Sequence, residues 1–233
     1  MTSLIETRGL SRSFGGLRAV SDVDFAMKSG EVRAVIGPNG AGKTTFVSLI
    51  AGRLPPSSGS IFFEGNDITR LPAFRRVRLG IAYTFQITSI YANLSASENV
   101  SLASRAADAH ESHRYLDRVG LADRAQQIAG TLSYGHQRLL EVAMGLALKP
   151  KLLILDEPTQ GLSDAEISNF INLVQILSRH TTVLLIEHNM TVVMALAHSI
   201  TVLDRGMILA EGTPQDIGGN PAVQAAYLGT ADA

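Results

Sequence analysis

Short apolar segments punctuated by glycine open the chain. Residues 4–10, 20–27, 31–37 and 60–64 are apolar or alternating over strand length and bounded by Gly, Ser and Asn. Each predicts a β-strand, with antiparallel hairpins expected at Ser29-Gly30 and around Gly65-Asn66. Residues 81–86 give a further candidate strand. Between about residues 87 and 150 the two-residue period fades, and Leu116, Val119 and Leu121, then Leu139, Leu140, Val142, Ala143, Leu146 and Ala147, fall at helical spacing. A mostly helical insert is implied. After Pro150 nearly continuous apolar runs return, Leu152-Leu153-Ile154-Leu155 and Val183-Leu184-Leu185-Ile186, the pattern of parallel strands covered on both faces. Between these runs Ile167, Phe170, Ile171, Val174 and Leu177 make one helical stripe, and Ser163 with Glu166 makes a capping box at its start. The tail from residue 211, rich in Gly, Pro and Ala, reads as a peripheral helix and turns.

Where the strand pattern of residues 32–36 gives way to the helical pattern of Phe46, Val47, Leu49 and Ile50, the chain reads Gly37-Pro38-Asn39-Gly40-Ala41-Gly42-Lys43-Thr44-Thr45. This is G-x-x-x-x-G-K-[ST] in its required setting of strand, loop and helix. Glycines at 37, 40 and 42 let backbone N–H groups turn inward as a nest, and the helix that follows adds its positive amino-terminal end, so a polyphosphate is the expected ligand. Lys43 supplies a point charge to the β- and γ-phosphates. The Thr44 hydroxyl is placed to complete the shell of a magnesium ion, which protein groups leave mostly open.

Size and composition narrow the field. At 233 residues with a formal net charge of −1, the chain has room for a sizeable core and lacks the basic excess of a nucleic-acid binder. Arg75, Arg76 and Arg78 form the one local basic cluster, expected to be a solvated face. No stretch approaches the ~20 apolar residues that span a bilayer, and residues 1–8 lack the regions of a signal peptide, so a cytoplasmic protein is expected. The absence of cysteine excludes disulfides, thiolate metal sites and Cys nucleophiles together. His110 and His113 have a spacing a metal could use, but with no third ligand nearby they read as surface histidines.

Two further segments carry chemistry. The run from Leu152 ends in Asp156-Glu157, and in open α/β sheets the ligand crevice lies beyond the carboxyl ends of the strands. Asp156 suits an indirect hold on magnesium, through a ligand of the ion or through water, and Glu157 suits orientation and partial deprotonation of an attacking water. Leu132-Ser133-Tyr134-Gly135-His136-Gln137 opens the strongest helix of the insert, with Ser133 a plausible N-cap. The order of these motifs, a phosphate loop, then Ser-x-Gly-x-Gln opening a helix, then an apolar strand ending Asp-Glu-Pro, resembles the ATP-binding subunit of ABC transporters. The resemblance spans essentially the whole chain.

That resemblance implies a P-loop NTPase core of α/β class with a mostly parallel sheet, an N-terminal antiparallel β subdomain and an inserted helical subdomain. As one nucleotide-binding domain over residues 1–233, it would divide into a core at 1–86 and 151–210, a helical signature part at 87–150 and a tail at 211–233. The cofactors implied are ATP and Mg2+. Gly37, Pro38, Asn39, Gly40, Ala41, Gly42, Lys43, Thr44 and Thr45 would hold the phosphates, and Phe14, matching an aromatic that stacks on adenine, the base; a core phenylalanine is the alternative. Gln86 matches a glutamine that touches magnesium and the attacking water, His188 a histidine that contacts the γ-phosphate, and Asp164 an aspartate at the dimer interface. Glu157, His188 and Gln86 would be catalytic, and Thr44, Gln86 and Asp156 would serve the metal. Ser133 and Gly135 match the signature residues that reach the γ-phosphate held by an opposite subunit, although Tyr134 and His136 stand where glycine is usual. The implied assembly is a head-to-tail pair with ATP at the interface.

Leu132-Ser133-Tyr134-Gly135, Ile186-Glu187-His188-Asn189-Met190, Ala210-Glu211-Gly212-Thr213-Pro214 and Ala226-Tyr227-Leu228-Gly229 are similar to one subgroup, the ATP-binding subunits of bacterial branched-chain amino acid importers. The stretch between Asn99 and Leu121 is short beside the insert many members carry. The partners implied are integral-membrane permease subunits, a second copy or a homologous ATPase subunit, and indirectly a periplasmic solute-binding protein, with no nucleic acid. The expected location is the cytoplasmic face of the bacterial inner membrane. Ile87, Ile90, Tyr91 and Leu94 are candidates for the permease contact, or else fill the insert's own core. An ATPase of a lipid or lipopolysaccharide exporter and an ABC ATPase unconnected with transport are the competing readings.

Overall fold

A computed structural model describes residues 3–84, 89–104 and 109–228. Ile5–Phe14 (β1) turns through Gly15-Gly16 into Leu17–Met27 (β2), with Phe14 opposite Leu17. The chain then crosses to a second sheet as Val32–Ile36 (β3), passes through the glycine loop into Lys43–Ile50 (α1), and returns to the first sheet as Ser58–Phe63 (β4) and Asn66–Asp67 (β5). Ala73–Leu79 (α2) leads to Ile81–Thr84 (β6) in the second sheet. The expected hairpin at Gly65 is present, with Phe63 paired to Asn66 and positive φ at both Glu64 and Gly65, as such tight turns require. The expected hairpin at Ser29-Gly30 is not. There β2 and β3 lie in different sheets, because β3, apolar apart from Arg33, needs cover on both faces and finds it inside the second sheet.

Helices Ala96–Ser104 (α3), Ala109–Arg118 (α4) and Tyr134–Ala147 (α5) follow. The chain then alternates through Leu152–Asp156 (β7), Asp164–Leu177 (α6), Thr182–Ile186 (β8) and Met190–Leu196 (α7). It closes with the hairpin Ser199–Asp204 (β9) and Met207–Gly212 (β10) and the short helices Pro214–Gly218 (α8) and Pro221–Leu228 (α9). The first sheet has the order β2-β1-β4-β5 and is antiparallel. The second has the order β10-β9-β3-β8-β7-β6 and is parallel except for β10. Because β3, β8 and β7 are neighbours, the segments leaving their carboxyl ends emerge side by side, at residues 37, 187 and 157.

The period of two within each buried strand decides which core a side chain enters. On β7, Leu152 and Ile154 join α1 and the antiparallel sheet in one core with Phe25, Phe46 and Phe63, whereas Leu153 and Leu155 face the helices α3 to α6. On β8 the same alternation sends Leu184 and Ile186 to α1 and Val183 and Leu185 to the helical side. Helix α1 is thus enclosed between the two sheets. Its last turn is closed by Arg76 of α2, which is not part of a solvated face. Arg76 is 1% exposed and donates to the Leu49 and Ile50 carbonyls at 2.8 Å, and to those of Leu71 and Thr69 at 2.9 and 3.0 Å. Burial holds its pKa down to about 10. Arg75 and Arg78 remain exposed, as expected.

Candidate functional site

The loop between β3 and α1 is braced from behind. Gly37 has φ 148° and Gly42 φ 97°, and a β-carbon at either would lie 2.0 Å from the Leu203 carbonyl oxygen or 2.1 Å from that of Ala19. Glycine is required there both by conformation and by space. Gly206, at the tip of the β9–β10 hairpin, donates its N–H to the Ala41 carbonyl at 3.0 Å and accepts from the Ser21 N–H at 2.8 Å, so strands of both sheets meet behind the loop. Lys43 is buried, and its ammonium donates to the Gly37 and Pro38 carbonyls at 2.8 and 3.0 Å. Burial lowers its pKa, opposed by the carboxylates of Glu157 and Asp156.

In front of the loop lies a cleft of about 530 Å3, lined by Phe14, by residues 39–45, and by Glu157 and His188 among others. Most of the residues singled out in the sequence therefore converge on one space. Gly37 and Pro38 stand behind it, buried. Phe14 is 43% exposed, with the Arg12 guanidinium 4.6 Å from its ring centroid, so it is not a core residue. Glu157 adopts φ 49°, uncommon for a residue with a β-carbon, and its N–H donates to the Ile186 carbonyl at 2.9 Å. That backbone directs its carboxylate at His188, whose Nε2 lies 2.7 Å from Glu157 Oε1. With Glu157 ionised the imidazole proton must sit on Nε2, which donates.

Asp156 is fully buried at the end of β7. Its Oδ2 accepts from the Tyr83 hydroxyl at 2.6 Å, and its Oδ1 has no partner among the described residues. Burial raises its pKa, and the nearby charge of Glu157 adds to that; the Tyr83 hydrogen bond and the Arg53 and Lys43 cations work the other way. An orphaned buried carboxylate oxygen beside a phosphate-type loop, with the Thr44 hydroxyl on the cleft, is a donor set that fits a hard divalent cation sharing its shell with phosphate and water.

Glu187 was not singled out in the sequence. It is buried, and its Oε1 accepts from the Thr159 N–H and hydroxyl while its Oε2 accepts from the His188 and Asn189 N–H groups. It ties the segment after Glu157 to the segment bearing His188. Tyr83 and the Gly206 turn were missed as well. Their places depend on strand pairing, although Asp204-Arg205-Gly206 after the apolar run of β9 was a readable hairpin signal. Gln86 lies outside the described residues.

Ser133 and Gly135 do not line the cleft. Ser133 caps α5, accepting from the His136 N–H at 3.3 Å. Gly135 faces Glu166 of the α6 capping box, where a β-carbon would lie 2.2 Å from Oε1. The Tyr134 ring packs over Gly161 and its hydroxyl accepts from Arg138 at 2.9 Å. Neither Tyr134 nor His136 has positive φ, so the absence of glycine at these positions costs the backbone nothing. Asp164 lies in the first turn of α6, a favourable place for its charge.

A braced phosphate-type loop at the carboxyl end of a parallel strand, with two carboxylates from the next strand but one, defines a P-loop nucleoside triphosphatase. The ABC transporter family profile matches residues 20–160, and that of the branched-chain amino acid ATP-binding cassette transporter matches residues 207–233. The high-affinity branched-chain amino acid transport ATP-binding protein BraF of Pseudomonas aeruginosa is 38% identical over 98% of both chains. LivG of Escherichia coli K12, of the same description, is 36% identical over 98% of both. Crystal structures of ATP-binding cassettes from ABC transporters, one nucleotide-free and one in an ADP conformation, superpose with TM-scores of 0.90 at 26% identity. They cover 97% and 98% of this chain, which in turn covers 99% and 100% of them. The chain belongs to the ABC transporter family, as an ATP-binding subunit that hydrolyses ATP in support of transport. No helix among the described residues is long and apolar enough to cross a membrane.

Proposed function

We propose that the chain drives uptake of branched-chain amino acids, or related small polar compounds, through integral-membrane permease subunits at the cytoplasmic face of a bacterial inner membrane. The observation that carries the mechanism is the 2.7 Å contact between Glu157 and His188 at the mouth of the loop cleft. Lys43 exchanges its contacts with the Gly37 and Pro38 carbonyls for the phosphates, while the loop amides and the start of α1 stabilise their negative charge. Phe14 stacks on the base. Asp156 and Thr44 hold Mg2+, which when bound neutralises charge on the β- and γ-phosphates. Glu157 orients the attacking water and takes its proton, and His188 holds the Glu157 carboxylate in place and reaches toward the γ-phosphate. Ser133 and Gly135, remote from their own cleft, supply the missing side of the site in a second copy or a homologous subunit. The branched-chain substrate is supported by the full-length likeness to BraF and LivG and by the carboxyl-terminal match.

Replacing the base leaves binding and removes turnover. Glu157→Gln is expected to lower ATP hydrolysis by roughly 10²-fold or more and to accumulate an ATP-bound dimer visible by small-angle scattering. Turnover at the original rate would place the base elsewhere. Uptake of leucine, urea and an aromatic acid, measured in cells lacking the chain, tests the substrate: loss confined to leucine and its branched relatives is the expected result.

A further inference from the structure

Tyr83 lies on β6, the edge strand of the mixed sheet, opposite Ile154 of β7. Its ring packs with Leu152 and Ile154 on the face that looks toward α1. Asp156, two residues beyond Ile154, is therefore the diagonal neighbour on that same face, within the reach of an aromatic side chain. The phenol takes up one of the two carboxylate oxygens in a short charge-assisted bond of 2.6 Å, and the other, Oδ1, is buried with no partner among the described residues. The ring is itself held: the Arg53 guanidinium, just past the end of α1, stands 4.9 Å from its centroid. A carboxylate with one oxygen anchored and one left over has a single oxygen to offer a cation, in a fixed direction.

We propose that Tyr83 is the positioning residue for Asp156, its hydroxyl fixing the carboxylate so that Oδ1 alone is presented to the divalent cation. Affinity for the metal then depends on a residue outside every motif of the chain, separately from affinity for the nucleotide. The inference rests on the reading of Asp156 as a metal-holding group. Partners of this kind orient metal ligands, and their loss costs metal affinity without removing a ligand.

The test uses the full chain loaded with a non-hydrolysable ATP analogue and Mn2+ as a paramagnetic probe. Tyr83→Phe keeps the ring and its packing, and removes the donor to Asp156 together with the hydroxyl's contact with Arg53. It is expected to weaken Mn2+ binding about 10-fold while affinity for the analogue in the presence of chelator stays unchanged. Introducing 4-aminophenylalanine at position 83, which restores a donor at the same reach, is expected to recover the metal affinity. Unchanged Mn2+ affinity in Tyr83→Phe, a parallel fall in metal-free nucleotide affinity, or no recovery with the amino analogue would each overturn the proposal. Asp156→Asn separates the two claims. If it abolishes Mn2+ binding and Tyr83→Phe does not weaken it, the role of Tyr83 alone falls; if it leaves Mn2+ binding intact, the reading of Asp156 falls and the inference with it.

Discussion

Arg76 illustrates how a residue type alone can mislead. Flanked by Arg75 and Arg78 it has the appearance of one more solvated cation, yet its guanidinium donates to the Leu49 and Ile50 carbonyls at the end of α1, the first of them shared with the Gly52 N–H. Arg76→Met keeps much of the stem and removes the guanidinium's hydrogen bonds to those carbonyls. It is expected to lower unfolding stability by about 2 kcal/mol or more, measured by urea denaturation, with ATP binding reduced because the disturbed helix carries Lys43 and Thr44. The site residues divide along the same line. Lys43, Asp156 and Glu157 could be proposed from the sequence because the chemistry fixes both their type and their place relative to a strand end, whereas His188 was proposed only from the family resemblance. Tyr83 and Glu187 were not, since each acts on a residue distant in sequence whose proximity is created by pairing of β6 with β7 and of β7 with β8.

Three of the helices are begun by carboxylates. Glu98 accepts from the Ser95 N–H and hydroxyl before α3, Glu166 from those of Ser163 before α6, and Asp216 from those of Thr213 before α8. These bonds hold all three pKa values below their ordinary values, 4.5 for the glutamates and 3.8 for the aspartate. A folded-state value lying below the unfolded one means stability that is complete above the unfolded pKa and lost as pH falls through the folded one. The urea midpoint is therefore expected to decline as pH drops below about 4.5. The difference between the wild type and the triple variant Glu98→Gln, Glu166→Gln, Asp216→Asn should be largest near neutrality and close toward acid. The capping box at Ser163 was visible in the sequence because a cap is a local device. The buried strands β3, β7 and β8 were visible from their apolar runs, but not their order. The turn at Ser29-Gly30 was misread as a hairpin, since a tight turn fixes a reversal of the chain and says nothing of which sheet the next strand enters.

At the scale of the whole molecule, the cleft and the Ser133–Gly135 segment do not meet within one chain. The face toward the permease is proposed at Tyr91, which is 58% exposed. The buried amide of Asn99 holds its backbone from both sides, accepting from the Tyr91 N–H at 2.7 Å and donating to its carbonyl at 3.0 Å. Ile90, by contrast, packs partly into the helical core, and Ile87 lies outside the described residues. Tyr91→Asp is expected to weaken co-purification with the permease while ATP affinity and melting temperature hold; undiminished co-purification would move the contact elsewhere. The grip of Arg76 on α1 then acquires a mechanical meaning. A rod clamped at its far end and enclosed along its length transmits thrust without recoiling. On that ground we infer that α1 shifts less on cleavage of the triphosphate than the segments bearing Glu157 and His188 do, as an anvil does beneath the hammer.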